Sequence, residues 1–313
     1  MSERSRWHPA SLVEWGLVSA LFRVFALMPA GWAYAAGEGA GRLVYALDGR
    51  HRRITQENLA RAFPGELTGQ QVADLARAVF ENLGRTAVDV ARSDRLLRQG
   101  ALERCRVEGM ERLLAARGRG KGVLVITAHF GPWELLPLMA ALRYEPIHVV
   151  ARPMDNPWLN DLLTRMRERG GNRVILKREA LPLILKVLRQ GETVGILIDQ
   201  HITEKDGVVV PFFGRPASTV SAPALLALRS GAAVLPVGIL REGRGRFCIR
   251  IGEEVLVERT GDLKTDVVLN TARFTAALER FIRLQPDHWF WVHRRWKTPL
   301  PVDERLQSIK IEI

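Results

Sequence analysis

His129 and Glu134 stand five residues apart in the segment 121–137, K-G-V-L-V-I-T-A-H-F-G-P-W-E-L-L-P. An imidazole beside a carboxylate is the minimal equipment for taking a proton from a hydroxyl. The carboxylate accepts the proton of one ring nitrogen and fixes the tautomer, and the other nitrogen is left as the base. On one continuous helix this spacing puts the two side chains roughly 140° apart around the axis, at about 3.6 residues per turn, so a helix alone does not pair them. A turn between them does.

The residues around the pair supply that turn. Positions 123–126 are an unbroken apolar run after Gly120-Lys121-Gly122, as expected of a short strand buried on both faces and ending at His129. Gly131-Pro132 breaks the extended pattern. Pro132 has the φ favoured at the first position of a helix, and 133–142 supply the helical run. Glu134 then falls in the first helical turn, where the positive end of the helix dipole keeps a carboxylate ionised. The spacing alone equally fits a buried, hydrogen-bonded histidine and an ordinary first-turn acid. The carboxyl end of a strand meeting a helix amino end is, however, where open α/β sheets bind ligands.

Three further groups sit at similar places. Arg152 precedes Asn156-Pro157, a cap and first-position pair for a helix over 158–168, and its fork geometry suits a phosphate or carboxylate as well as a surface salt bridge. Asp199-Gln200 closes the apolar run 194–198, either as a turn or cap or as part of the site. Phe212-Phe213-Gly214 fits an acyl-chain slot or core packing.

These blocks together resemble the late acyltransferases of lipid A biosynthesis, of the lauroyl/myristoyl type. A-H-F-G-P-W-E is similar to that family's H-x4-D/E signature, 152–157 to its R-P-x-x-N-P block, Asp199-Gln200 to its D-Q element, and Pro211-Phe212-Phe213-Gly214-Arg215 to its P-F-F-G segment. The likeness runs from about residue 58 to 296. It implies His129 as general base with Glu134 as its orienting carboxylate. It also implies Arg152, Asp199, Gln200, Phe213, Gly214 and Arg215 near substrate, and neither metal nor cofactor. The implied donor is an acyl-carrier-protein thioester. The implied acceptor is a hydroxyl on a primary acyl chain of a lipid A precursor, reached in a ternary complex at the inner membrane. Another lipid acceptor, such as a lysophospholipid or glycolipid, stays open, as does a non-catalytic basic membrane-binding protein.

Composition narrows the field from a different side. The net charge of +12 favours anionic partners: an anionic membrane surface, a phosphorylated substrate, an acidic carrier protein or nucleic acid. No recognised nucleic-acid module accompanies it, so no nucleic acid is expected. Two cysteines are too few for a disulfide framework or a thiolate metal site. There is no G-x-S-x-G elbow, P-loop or H-E-x-x-H, and the close glycines at 37–41 follow no strand, so a covalent serine enzyme, a nucleotide site and a zinc protease are not favoured.

The chain is expected to form an α/β fold, a largely parallel central sheet flanked by helices, preceded by an N-terminal helical membrane-associated region. The division expected is 1–48 for that region and 49–313 for an acyltransferase domain. Residues 12–47 are apolar but interrupted by Arg23 and Pro29, which fits one span, two helices in the interface, or a buried helical hairpin. The basic run 50–53 marks the cytoplasmic side by the positive-inside tendency, or forms a solvated helix face. Helices are predicted over 53–63, ending at Pro64, and over 70–92, opened by a Thr68/Gln71 capping box. Strands are predicted near 105–107, 123–127, 147–151, 174–176, 194–198, 234–239 and 247–251. The run 287–297, with Trp289, Trp291 and Trp296 among cations, suits a membrane interface or a core equally. Backbone amides around Gly131 are candidate donors to a developing oxyanion.

Overall fold

The computed structural model describes residues 7–176, 180–203, 207–297, 301 and 303. Helices α1 (Pro9–Leu27) and α2 (Ala30–Leu47) are separated by a break at Met28-Pro29. They are followed by α3 (Gly49–Ala62) and α4 (Gly69–Ala91), the latter opened by the Thr68/Gln71 capping box, and by the short α5 (Ser93–Arg98). The remainder alternates: β1 (Arg106–Glu108), α6 (Met110–Gly118), β2 (Val123–Thr127), α7 (Leu135–Arg143), β3 (His148–Ala151), α8 (Pro157–Arg167), β4 (Arg173–Leu176), α9 (Ala180–Arg189) and β5 (Thr193–Leu197). Then come a hairpin of β6 (Gly207–Phe212) and β7 (Arg215–Val220), α10 (Ala222–Ser230), β8 (Ala233–Gly243), β9 (Arg246–Ile251) and α11 (Leu263–Leu284).

Seven strands form the central sheet in the order β1-β9-β8-β2-β5-β3-β4, every neighbouring pair parallel except β8 with β9. The α/β class and the mostly parallel sheet are as expected. β2 lies in the interior between β8 and β5, which is why its five residues are all buried and apolar or nearly so. Its side chains alternate between faces. Leu124 and Ile126 join the core built with α9, α10 and α11, whereas Val123 and Val125 join the one beneath α6 and α7. Cys248 and Cys105 fall in these two separate cores, and both are free thiols.

The hairpin β6–β7 was not expected. Pro211 and Pro216 face each other in it, and proline is normally evidence against a strand. A two-stranded ribbon tolerates both because each strand has an unpaired edge.

α2 lies against α4 with backbones nearly touching. A Cβ placed on Gly84 would come 1.9 Å from the Gly37 carbonyl oxygen, and one on Gly41 would come 2.3 Å from that of Phe80. This leaves outward an apolar surface that includes Leu17, Leu21 and Val24 on α1 and Trp32, Leu43 and Leu47 on α2. Among the described residues, α1 alone is long and apolar enough to cross a membrane, by length and composition, with a mean hydropathy of 1.5. The tryptophans of the C-terminal run point the other way: Trp289 and Trp291 are core residues, and Trp296 packs against the same core.

Candidate active site

β2 and β5 pair in parallel with Thr127 opposite Leu197, a constant offset that carries two residues further to His129 and Asp199. The sheet therefore sets these two side by side just past the carboxyl ends of its interior strands. His129 Nδ1 lies 2.8 Å from Asp199 Oδ1, and the His129 backbone N–H donates to Oδ2 at 2.9 Å. The Trp289 indole N–H adds a second donor to Oδ2 at 2.8 Å. With Asp199 as acceptor, Nδ1 carries the ring proton and Nε2 keeps its lone pair. Gln200 Nε2 stands 3.4 Å from that nitrogen, a long contact that a substrate hydroxyl can displace.

Burial separates the two roles. The Asp199 side chain is 1% exposed and the His129 side chain 20%, so the carboxylate is sealed while the imidazole still reaches the surface. Burial pushes His129 towards its neutral form, but the Asp199 charge and hydrogen bond, with Glu134 behind them, outweigh it and hold the pKa above the ordinary imidazole value. Burial pushes Asp199 up, and the His129 charge with the three donors outweighs that in turn, holding it below the usual carboxylate range.

The expected His129–Glu134 hydrogen bond is not the one that forms. Glu134 takes both fork nitrogens of Arg167, Nε at 2.8 Å and Nη2 at 2.6 Å. The geometry therefore corrects the sequence expectation: Asp199, not Glu134, holds Nδ1. The local backbone gives the reason. Leu135 N–H bonds to the Pro132 carbonyl and Leu136 N–H to that of Trp133, so a tight turn precedes α7 and Glu134 stands at its cap rather than inside its first turn. Arg167, at the end of α8, was not singled out in the sequence; its signal would have been a basic residue in the last turn of a helix following a strand that ends near the site.

The left-handed turn at Gly131, φ 59°, requires glycine twice over, since a Cβ there would also meet the Ile239 carbonyl oxygen at 2.1 Å. Amides near it are already engaged. The N–H of His129 goes to Asp199, that of Phe130 to the Ala128 carbonyl, and that of Gly131 to the His288 carbonyl at 2.8 Å. Of the amides around Gly131, these three are therefore already spent.

The comparisons with known proteins complete the picture. A family model described as bacterial lipid A biosynthesis acyltransferase matches residues 2–298. The chain belongs to that family. It is 28% identical over 298 residues to the lipid A biosynthesis lauroyltransferase of Escherichia coli K12, covering 93% of each chain. It is also 28% identical over 257 residues to the palmitoleoyltransferase of that organism, covering 82% of this chain and 81% of that one. A phosphatidylinositol mannoside acyltransferase of Mycolicibacterium smegmatis is 26% identical over 271 residues, covering 85% and 86%. The protein is an O-acyltransferase.

Within this acyltransferase, the other residues singled out from sequence spread over three places. Gln200 joins His129 directly. Arg152 is exposed just beyond β3, and Asn156 caps α8 by accepting from the Trp158 N–H at 3.0 Å. Phe213, Gly214 and Arg215 form the tip of the β6–β7 hairpin. There Phe213 is buried against Phe63 and Trp291, and Arg215 Nε donates to the Arg61 carbonyl. The imidazole is instead flanked by Trp133 and Phe290, with ring centroids at 5.3 and 6.0 Å. Neither thiol suits a nucleophile, because burial pushes Cys248 up to about 11 and Cys105 above its ordinary value. A groove of about 730 Å³ lined by Arg42, Tyr45, Arg52, Arg77 and Glu81 shares no residue with this site, and Arg52 and Arg42 are engaged there by the end of α2 and by Glu81.

Proposed function

We propose that the chain transfers a fatty acyl group from an acyl-carrier-protein thioester to a hydroxyl of a lipid A precursor, with His129 as the general base. The observation that carries this is the Asp199–His129 hydrogen bond, which in the neutral ring puts the proton on Nδ1 and leaves the lone pair on Nε2, in a side chain that is still partly exposed. The acceptor hydroxyl gives its proton to Nε2 as its oxygen attacks the thioester carbonyl. The C–S bond then breaks, and the imidazolium returns the proton to the departing thiolate. Asp199 holds the ring and stabilises the imidazolium. Glu134, pinned by Arg167, adds a second negative charge nearby.

Family membership supports the lipid A acceptor, and the net charge of +12 suits both an acidic carrier and a phosphorylated lipid. Residues 1–48 form the membrane-associating part, with the apolar faces of α1 and α2 in the inner membrane and residues 49–313 on the cytoplasmic side. One observation favours a second reading. The likeness to phosphatidylinositol mannoside acyltransferases extends over 85% of the chain, which supports a glycolipid acceptor of another kind.

The test offers purified protein a panel of acyl-carrier-protein thioesters with a tetra-acylated lipid A precursor, a phosphatidylinositol mannoside or a lysophospholipid, and reads acceptor mass. The expected result is one added acyl chain on the lipid A precursor. In His129→Ala that product falls by about 10² to 10⁴ in rate with no change in Tm. Transfer to one of the other lipids alone keeps the base and replaces the acceptor. Full activity in His129→Ala overturns the mechanism.

A further inference from the structure

We propose that Trp289 is a positioning residue of this acyltransferase, acting through Asp199 on the basicity and orientation of His129. The inference rests on the reading of His129 as the base.

Trp289 lies 90 residues from Asp199 in the chain and 1% exposed in the fold, and its only polar side-chain atom is spent on the carboxylate that holds the imidazole. A buried carboxylate oxygen with one donor is still free to pivot about its own Cβ–Cγ bond. Two donors on Oδ2, the His129 amide and the Trp289 indole, fix the carboxylate plane, and with it the direction in which Oδ1 meets Nδ1. The indole comes from outside the β2–β5 pair, so it reports on a third element.

That element is tied to the His129 turn along its backbone. Phe130 and Trp289 form an antiparallel bridge, the Gly131 N–H donates to the His288 carbonyl, and the Phe290 N–H donates to the His129 carbonyl at 3.0 Å. Further along, Asn58 of α3 donates to the carbonyls of Trp291 and His293, at 2.7 and 2.8 Å, and the Trp291 indole donates to the Pro286 carbonyl at 2.6 Å. Phe212 packs edge-on against the Trp289 ring at 5.3 Å. The segment 288–291 is thus a strap fastened at both ends, and its register with 129–131 decides where the indole N–H points. Packing alone would be met by any aromatic ring of similar size. The hydrogen bond to a sealed carboxylate is met only by a donor.

The sign of the effect follows from the charge. A donor on Oδ2 draws negative charge away from Oδ1. Without it Asp199 pulls harder on the imidazole proton, so His129 becomes a stronger base that is protonated at higher pH, and it is less firmly oriented.

The experiment replaces Trp289 by β-(3-benzothienyl)alanine, which puts sulfur in place of the indole N–H at nearly the same volume, alongside Trp289→Phe. Steady-state kinetics across pH are measured in the full chain, with thermal unfolding as the control for packing. The isostere is expected to unfold at the wild-type temperature. Its kcat is expected to fall about tenfold, the scale of one hydrogen bond to a charged group. The acid limb of its kcat/KM profile is expected to move to higher pH. In an Asp199→Asn background the same replacement is expected to move the limb no further. An isostere whose acid limb coincides with that of the wild type overturns the proposal, whatever happens to kcat, because a packing role does not touch the titration of His129. Activity retained by His129→Ala instead sinks the underlying assignment of the base.

Discussion

Asp199 and Asp89 are both sealed carboxylates, at 3% and 0% exposure, and both face a cationic or ionisable partner, yet they do opposite things. Asp89 on α4 accepts the Tyr34 hydroxyl from α2 and two nitrogens of Arg241 from β8, Nε at 2.6 Å and Nη2 at 2.5 Å. The guanidinium also donates to Asn82 and Thr86. Every member of that cluster is buried, and none opens outward. It bolts α2 and α4 to the sheet. Asp199 instead faces an imidazole that is still partly exposed. Burying a carboxylate does not make a site; a titratable partner with one free end does. The two clusters nonetheless touch, since the Arg241 N–H donates to His288 Nε2 and the His288 carbonyl takes the Gly131 N–H.

The comparison breaks if the two carboxylates prove interchangeable in kind. Asp89→Ala leaves the Arg241 guanidinium buried without its partner and is expected to cost about 3–5 kcal/mol of stability in chemical denaturation. The folded fraction should keep a near-normal kcat. A stable Asp89→Ala protein with a lost kcat would place Asp89 in the chemistry and erase the contrast.

A third buried carboxylate sharpens it. Glu279 on α11 is 1% exposed, and burial pushes its pKa up to about 7. The folded chain therefore holds this proton more tightly than the unfolded one. Stability is greatest below the ordinary glutamate pKa and declines as pH rises from there to about 7. Glu279→Gln removes that decline. Its Tm is expected to exceed the wild type's at pH 8, by the equivalent of no more than roughly 3.5 kcal/mol of stability at about 1.4 kcal/mol per pKa unit. The gain should shrink as pH falls to 5. An equal or lower Tm at pH 8 would show that Glu279 is paired when ionised.

Much of the frame was legible in the sequence because its signals are local. The strand 123–127, the Thr68/Gln71 capping box, the Asn156 cap and the break at Pro29 each depend on a handful of adjacent residues. His129 was legible for the same reason. Its partner was not: the spacing of His129 and Glu134 drew attention to the near carboxylate, whereas the one in contact lies 70 residues on and becomes a neighbour only through the pairing of β2 with β5. The available hint was that two apolar strands each end in a polar residue at the same step past the strand. The β6–β7 hairpin was hidden by its two prolines. The tryptophan run, equally suited to membrane or core, was decided by packing that no composition records.

The most direct test is the pH dependence of kcat/KM in Asp199→Asn beside the wild type. In the wild type the acid limb should lie above the ordinary imidazole range, because the base loses its lone pair at the raised pKa of His129. In Asp199→Asn the charge is gone and the amide can donate to Nδ1, so the limb should drop to lower pH and kcat should fall by about 10² to 10⁴. An acid limb at the same pH in both proteins would contradict the account, since Asp199 would then have no hold on the base.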